Sequence, residues 1–162
     1  MPYWAELWPS GLALARALPT RLDGLCVVEL GCGLGVPSLT AAARGAAVTA
    51  LDWAHDAIAL LDRNAARNHV ELFGVAADWR AFTGSFDLVV GADLLYERRN
   101  VQALVELLPS LASHVLLGEP GRPHAGEFFE LAAAGWQIEE LPERVYRLTR
   151  PTRADPQARP GE

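Results

Sequence analysis

The sequence CVVELGCGLGVP, residues 26–37, is an apolar run that ends in three closely spaced glycines, and it indicates the fold more clearly than any other segment. Its first five residues predict a buried strand, and Pro37 fits the first turn of a following helix. Glycines between a strand and a helix let the backbone turn tightly and approach a ligand, and the helix offers free N–H groups at its start. Because ligands of open α/β sheets bind beyond the carboxyl ends of the strands, this loop predicts a nucleotide-like ligand.

The glycine spacing separates two classes of ligand. A dinucleotide-binding loop has the pattern GxGxxG, whereas Gly31, Gly33 and Gly35 form GxGxG. Glu29 also lies just before the turn, where its carboxylate would repel a pyrophosphate. A cofactor with a cationic amino acid would tolerate Glu29 and bond to the loop backbone, including that of Cys32. The pattern therefore favours S-adenosylmethionine over NAD.

The rest of the chain alternates between strand and helix patterns. Strands are predicted at 48–51, 72–77, 86–91 and 115–118, with a final antiparallel pair at 136–141 and 145–149, and helices at 11–18, 37–44, 54–68, 97–108 and 123–134. This order predicts an α/β, Rossmann-like, mostly parallel sheet with helices on both faces. Ser10 is expected to cap the first helix. We expect residues 1–150 to form a single domain and the Pro-, Arg- and Gly-rich residues 151–162 to be a disordered tail.

Acidic residues end four of the predicted strands. Glu29, Asp52, Asp78 and Asp93 should therefore line one edge of the sheet. Asp52 lies about twenty residues beyond the glycine loop, where such folds place a ribose-binding acid, although it could also cap the next helix. Asp78 could accept a hydrogen bond from an adenine amino group while Trp79 packs on the ring, and core packing is the alternative for Trp79.

The segment from Asp93 to Tyr96 is predicted to handle the methyl acceptor. Methyl transfer from a sulfonium to an amine is an in-line displacement, so the enzyme mainly positions the reactants. The carboxylate of Asp93 can orient an incoming ammonium group, and Tyr96 can help to align it. The structural alternatives are that Asp93 caps a helix starting at Glu97 and that Tyr96 fills the core.

The composition restricts the class of partner and the cellular compartment that we expect for this chain. The net charge of −6 disfavours nucleic acid and suits a cationic partner, and the chain contains no lysine that it could methylate itself. Two cysteines without a CxxC pair indicate a reducing compartment, and they form no zinc spacing with the four histidines, so no metal is expected. With no signal-peptide pattern or membrane-length apolar run, we expect a cytoplasmic protein without a membrane partner.

Taken together, these motifs resemble the seven-strand lysine methyltransferases. The match includes residues 27–35, Asp52, the pair at 78–79 and Asp93-xx-Tyr96. Residues 2–11, PYWAELWPSG, resemble the opening of the electron-transfer-flavoprotein beta-subunit lysine methyltransferases. The segment GEPGR, residues 118–122, resembles their Gly-Asp-Pro-Gly-Arg, with Glu119 in place of the aspartate. The resemblance spans residues 2–150, and relatives usually carry more chain before the Pro-Tyr-Trp segment.

The resemblance implies an S-adenosylmethionine-dependent monomer that methylates lysine side chains of a partner protein, with the electron-transfer flavoprotein beta subunit as the candidate partner. Asp93 and Tyr96 would be catalytic. The implied cofactor contacts, taken with those of the glycine loop, are Trp8, Glu29, Gly31, Cys32, Gly33, Asp52, Trp53, Asp78, Trp79 and Ala92. The implied substrate-side residues are Glu119, Gly121 and Arg122.

Two other functions stay open from the sequence. A small-molecule amine N-methyltransferase, as in the similar nicotinamide N-methyltransferase group, would suit a compact chain that offers little docking surface. An inactive module that only binds the cofactor is disfavoured, because the acceptor-side residues are present as well as those of the cofactor side.

Overall fold

A computed structural model describes residues 2–151, in which strands and helices alternate. The strands are β1 (Cys26–Leu30), β2 (Ala47–Asp52), β3 (Phe73–Ala76), β4 (Leu88–Ala92), β5 (His114–Gly118), β6 (Gln137–Leu141) and β7 (Val145–Thr149). The helices are α1 (Pro9–Ala17), α2 (Val36–Ala43), α3 (His55–Asn68), α4 (Arg99–Leu111) and α5 (Ala125–Ala132), and short 3-10 turns cover Tyr3–Ala5, Trp79–Ala81 and Pro142–Arg144.

The strands form one seven-stranded sheet in the order β3-β2-β1-β4-β5-β7-β6. Strands β1 to β5 pair in parallel, while β7 is antiparallel to both β5 and β6. Parallel neighbours need a crossover, and the helices between them supply it. The predicted Rossmann-like fold with a final antiparallel strand is therefore confirmed.

Helices cover both faces of the sheet. Side chains alternate along β1, so Val27 packs with residues of α1 and α2, whereas its neighbour Val28 packs with residues of α4 and α5. Both valines are fully buried, as expected for central parallel strands. This double layer holds the sheet, and with it the ends of its strands, in a fixed position.

The strand register places the carboxyl ends of the central strands level with one another. Leu30 of β1 pairs with Leu51 of β2 and with Gly91 of β4, and Ala92 of β4 pairs with Gly118 of β5. The segments that follow these residues therefore meet at one edge of the sheet, where the predicted site residues are concentrated.

Some predicted boundaries are wrong. Ser10 does not cap α1, because Pro9 already occupies the first turn of that helix and the N-cap position belongs to Trp8. Helix α4 starts at Arg99 instead of Glu97, and α5 is shorter than predicted because a turn from Arg122 to Ala125 precedes it. Within residues 2–151 no helix is long and apolar enough to cross a bilayer.

The predicted disordered tail lies, except for its first residue, outside the described residues, and the single-domain organisation of residues 1–150 stays a prediction.

Candidate active site

A cleft of about 1040 Å³ opens at the carboxyl edge of the sheet. It is at the upper end of the volumes of ligand pockets, which run to roughly 1,000 Å³. The glycine loop, the ends of β2 and β4, the turn after β3 and residues near the N-terminus border it. Thirteen of the predicted site residues line it, namely Trp8, Glu29, Gly31, Cys32, Gly33, Asp52, Trp53, Asp78, Trp79, Ala92, Asp93, Tyr96 and Arg122.

Two positions of the loop accept only glycine. Gly33 has a φ of +50°, and a Cβ atom there would lie 3.0 Å from the carbonyl oxygen of Trp4. Gly35 has a φ of +76°, and a Cβ atom there would lie 2.1 Å from Cδ1 of Leu61. The loop therefore packs closely between the N-terminal segment and α3 while its backbone faces the cleft.

Cys32 contributes its backbone to the loop. Its N–H donates to the carbonyl oxygen of Leu51 at 2.8 Å, which ties the loop to the end of β2. The side chain is buried, and burial raises the pKa of the thiol far above its usual range. The thiol therefore stays protonated.

Asp52 connects the loop to the next segment. Its Oδ2 atom accepts the N–H of Gly33 at 3.0 Å, and its Oδ1 atom accepts the N–H of Ala54 at 2.9 Å. Ala54 is itself the N-cap residue of α3, so Asp52 holds the turn that leads into the helix without capping the helix. The carboxylate is buried at the border of the cleft, where it can also accept hydroxyl groups of a ligand.

Glu29 is a buried acid behind the loop. Its Oε2 atom accepts the backbone N–H of Ser38 at 2.9 Å and the Ser38 hydroxyl. Burial raises the pKa of Glu29 to about 8, since the loss of hydration outweighs the two Ser38 bonds, which lower it. At neutral pH most molecules therefore carry Glu29 in its protonated form.

The two tryptophans near the cleft occupy different environments. Trp53 is 69% exposed, so its indole face is open to a planar ligand. Trp79 is 7% exposed and belongs to the main hydrophobic core, and it also borders the cleft. Of the two uses considered for Trp79, core packing is observed.

Asp78 forms an ion pair with Arg80 two residues later. Its Oδ2 atom lies 2.7 Å from a terminal guanidinium nitrogen, and its Oδ1 atom accepts both Nε and the backbone N–H of Arg80. The hydrogen bonds from Arg80 hold the pKa of Asp78 below its usual range, so the group is ionised at the cleft.

Asp93 lies where β4 leaves the sheet. Its φ is +58°, and its N–H donates to the carbonyl oxygen of Gly118 at 2.8 Å. Its two carboxylate oxygens accept Nε of Arg122 at 2.6 Å and Nη2 of Arg122 at 2.5 Å, and only 11% of the side chain is exposed. The capping alternative for Asp93 is wrong, because the N-cap residue of α4 is Arg98.

Tyr96 borders the same cleft and is 52% exposed, so the core-filler alternative is wrong. Partial desolvation, followed by the charge of Glu97, raises the pKa of Tyr96. The phenol therefore stays protonated and can donate a hydrogen bond at neutral pH.

The loop after β5 carries the last predicted residues. Glu119 is buried and lines neither the cleft nor the neighbouring cavity; its Oε1 atom accepts the N–H groups of Gly121 and Arg122 at 2.7 and 2.5 Å. Gly121, with a φ of +103°, lines a second cavity of about 290 Å³, which shares Trp8, Asp93 and Arg122 with the cleft. The guanidinium carbon of Arg122 lies 5.8 Å from the ring centroid of Trp8.

Sequence reasoning missed several residues of the cleft. The spacing of Asp78 and Arg80 is a local signal that could have indicated their ion pair. No local signal pointed to Asn100, which is buried and donates from Nδ2 to the carbonyl oxygen of Leu94 at 2.8 Å, thereby holding the turn that precedes Tyr96. Among residues 2–151 there is no group of three or more His, Cys, Asp or Glu side chains arranged to hold a metal ion.

The family model described as "Methyltransferase domain" matches residues 27–115, which is more than half of the chain. The chain therefore belongs to the methyltransferase-domain family, and the prediction of a methyltransferase is confirmed. Membership in this family also supports S-adenosylmethionine as the cofactor.

Within this class the chain is similar to the electron transfer flavoprotein beta subunit lysine methyltransferases. It is 32% identical to that of Rattus norvegicus over 164 residues, with 95% of this chain and 62% of the relative covered. It is 35% identical to that of Xenopus laevis over 131 residues, with 75% and 53% covered. The chain thus spans about three fifths or less of the length of these curated relatives. The resemblance found in the motifs is confirmed.

Solved structures agree on the fold. Magnesium protoporphyrin IX methyltransferase of Synechocystis PCC 6803, solved with bound SAM, superimposes with a TM-score of 0.69 at 18% identity, covering 87% of this chain and 76% of that one. Ribosomal protein L11 methylase of Lactobacillus delbrueckii subsp. bulgaricus superimposes with a TM-score of 0.68 at 22% identity, covering 88% and 76%.

Proposed function

We propose that this chain is an S-adenosylmethionine-dependent protein-lysine N-methyltransferase that acts on the electron transfer flavoprotein beta subunit or a similar protein. The observation that carries the proposal is the position of Asp93, whose carboxylate borders the same cleft as the glycine loop. An acid there can bind an ammonium group beside a methyl donor held by the loop. The names of the similar relatives support a lysine as the acceptor.

The residues of the loop fit the proposed cofactor. The left-handed backbone at Gly33 and Gly35, where a Cβ atom would meet Trp4 and Leu61, lets the loop turn tightly so that it borders the cleft. Asp52 can accept ribose hydroxyls, and the exposed face of Trp53 can stack on an adenine ring. S-adenosylmethionine, when bound, supplies an electrophilic methyl group on a sulfonium.

The acceptor side needs to deliver a neutral amine in line with that methyl group. The carboxylate of Asp93 would attract a lysine ammonium, orient it, and stabilise the positive charge that returns to nitrogen as the new N–C bond forms and the bond between sulfur and the methyl carbon breaks. The protonated phenol of Tyr96 can donate a hydrogen bond to backbone or acceptor groups at the mouth. The proton of the incoming ammonium leaves to solvent before transfer, because only a lone pair on nitrogen can attack.

Charge and composition support a protein partner with an exposed lysine. The chain carries a net charge of −6, which favours a cationic surface on the partner. The expectations of a cytoplasmic location and of no nucleic-acid partner belong to the same proposal and rest on the cysteine usage and the charge, while the expected monomer rests on the resemblance alone.

The test is methyl transfer from labelled S-adenosylmethionine to purified electron transfer flavoprotein and to a host lysate, followed by mass spectrometry of any labelled band. We expect the wild-type chain to label lysine in a single band, and Asp93→Asn to label it about 100-fold more slowly. Label in small molecules alone would reject the proposal in favour of an amine N-methyltransferase.

A further inference from the structure

The carboxylate that should receive the substrate already has a cation. Both oxygens of Asp93 are bound by one guanidinium, that of Arg122, in a bidentate pair. Bidentate arginine–carboxylate pairs are among the strongest hydrogen-bonded ion pairs in proteins. The hydrogen bonds with Asp93 raise the pKa of the Arg122 guanidinium. A lysine ammonium that binds Asp93 through the same lone pairs must therefore displace Arg122.

Two contacts keep Arg122 in this position. Its backbone N–H is bound by Oε1 of Glu119, which fixes the loop from which the side chain projects. Its guanidinium lies over the indole of Trp8, an arrangement that favours a cation. The competing cation is thus part of the chain and is present at a high effective concentration, on the order of millimolar or more.

We infer that Arg122 determines acceptor selectivity, because it excludes free small amines from Asp93 and gives way only to a lysine that a docked protein holds at the cleft. This inference rests on the proposed function and names the type of acceptor that the site takes. A free amine gains only the contact with Asp93, whereas a docked protein adds binding energy from a larger surface.

The mouth of the cleft offers such a surface. Leu7 and Tyr96 border the cleft and are 53% and 52% exposed. Large exposed apolar side chains around a polar site are typical of protein contact surfaces. They can supply the interaction that compensates for the loss of the pair between Asp93 and Arg122.

The structure also has room for the displaced guanidinium. The second cavity, of about 290 Å³, is bordered by Arg122 itself together with Ser10 and Gly121. The negative charge of Glu119 already contributes to the raised pKa of Arg122. Glu119 does not border this cavity, and its carboxyl group acts on the guanidinium across the loop backbone that it binds.

The experiment measures binding of a free amine, Nα-acetyl-lysine-N-methylamide, to the chain saturated with S-adenosylhomocysteine, using calorimetry. We expect Arg122→Gln to bind this amine about tenfold more tightly than the wild type, since Asp93 is then accessible in most molecules. Arg122→Lys keeps the charge but lacks the planar fork, so its affinity should lie between the two. The matched control is Arg147→Gln, which removes an exposed arginine paired with Glu139 on the edge of the sheet and should bind as the wild type does.

Equal amine affinity in Arg122→Gln, Arg147→Gln and the wild type would overturn the inference. If Arg122→Gln does not fold, Arg122→Lys decides the question by the same comparison. Labelled methyl transfer then provides a second measurement: we expect the ratio of free-amine to protein methylation to rise about tenfold in Arg122→Gln. Because the binding measurement needs no turnover, it separates a failure of this inference from a failure of the proposed lysine methylation.

Discussion

The two ends of the cleft hold their acids in different ways. At the cofactor end, defined by residues 29–35, Asp52 and Trp53, the carboxyl groups of Glu29 and Asp52 accept hydrogen bonds from backbone N–H groups. At the acceptor end, defined by Asp93, Tyr96 and Arg122, the carboxylate is held by a side chain. Backbone donors cannot leave without local unfolding, whereas a side chain can rotate away. We therefore expect the acids of the cofactor end to keep their hydrogen-bond partners, whereas the acid of the acceptor end can exchange one cation for another.

The strongest test of the cofactor end is the pH dependence of its buried acid. Burial raises the pKa of Glu29 from 4.5 to about 8, so between these values the folded chain keeps a proton that the unfolded chain has lost. This group therefore makes the free energy of unfolding fall as the pH rises from 5 to 8. We expect Glu29→Gln to remove about 3 kcal/mol of that fall.

Urea unfolding of the wild type and Glu29→Gln at pH 5, 6.5 and 8 measures this difference. Glu71→Gln, a change of an exposed acid, is the control and should follow the wild type. Parallel pH profiles for all three proteins would show that Glu29 is ionised in the folded chain across this range.

Removal of the negative charge at the acceptor end should lower the activity and leave the cofactor affinity nearly unchanged. Asp93→Asn keeps the shape but removes the charge that attracts the ammonium, so we expect kcat/KM for protein methylation to fall about 100-fold, with little change in S-adenosylhomocysteine affinity. Asp56→Asn, at an exposed site in the first turn of α3, serves as the control. A parallel loss of cofactor affinity in Asp93→Asn would mean that the two ends are not separate.

The loop should tolerate no added side chain where it packs most closely. At Gly35 an alanine would combine a left-handed backbone with a Cβ atom 2.1 Å from Leu61, so we expect Gly35→Ala to lower the free energy of unfolding by about 2 kcal/mol. Gly126→Ala, in α5 with open space around it, should be neutral or slightly stabilising. Equal stability of the two variants in chemical denaturation would contradict the close packing of the loop.

The smallest effect is expected at the exposed indole. Trp53→Ala should weaken S-adenosylhomocysteine binding about tenfold, because stacking of a base on an aromatic ring contributes roughly 1–3 kcal/mol. Phe73→Ala is a matched control, since Phe73 is similarly exposed but lies on β3 away from the cleft lining. Calorimetry would count against a stacking role if both variants bound alike.

Local patterns predicted most of the fold. The bounds of β1 agree with the prediction because glycines end the apolar run, and Asp52 and Asp93 reach one edge because parallel strands bring their carboxyl ends together. The predicted N-cap of α1 was wrong because Pro9 and Ser10 are both residues that favour a helix start. The sequence offers no way to rank these two signals.

The sequence predicted most residues of the site, but it did not predict which residues form hydrogen bonds and ion pairs with one another. Glu119 was assigned to the substrate side, yet its carboxyl group faces the backbone of its own loop. The pair between Asp93 and Arg122 joins residues 29 positions apart and forms only because β4 and β5 end side by side. Spacing along a chain carries no information on such a contact.

Hydrophobic periodicity and glycine positions are local properties, so the amino-acid sequence was enough to predict the class of fold, the edge of the sheet that carries the site and the residue types that meet there. The partner of each acid was set by the tertiary structure. It left Asp52 bound to the loop backbone, Glu29 buried with a raised pKa and Asp93 covered by Arg122. The reason is that burial and ion pairing depend on which distant segments pack together, and those contacts exist only in the folded chain.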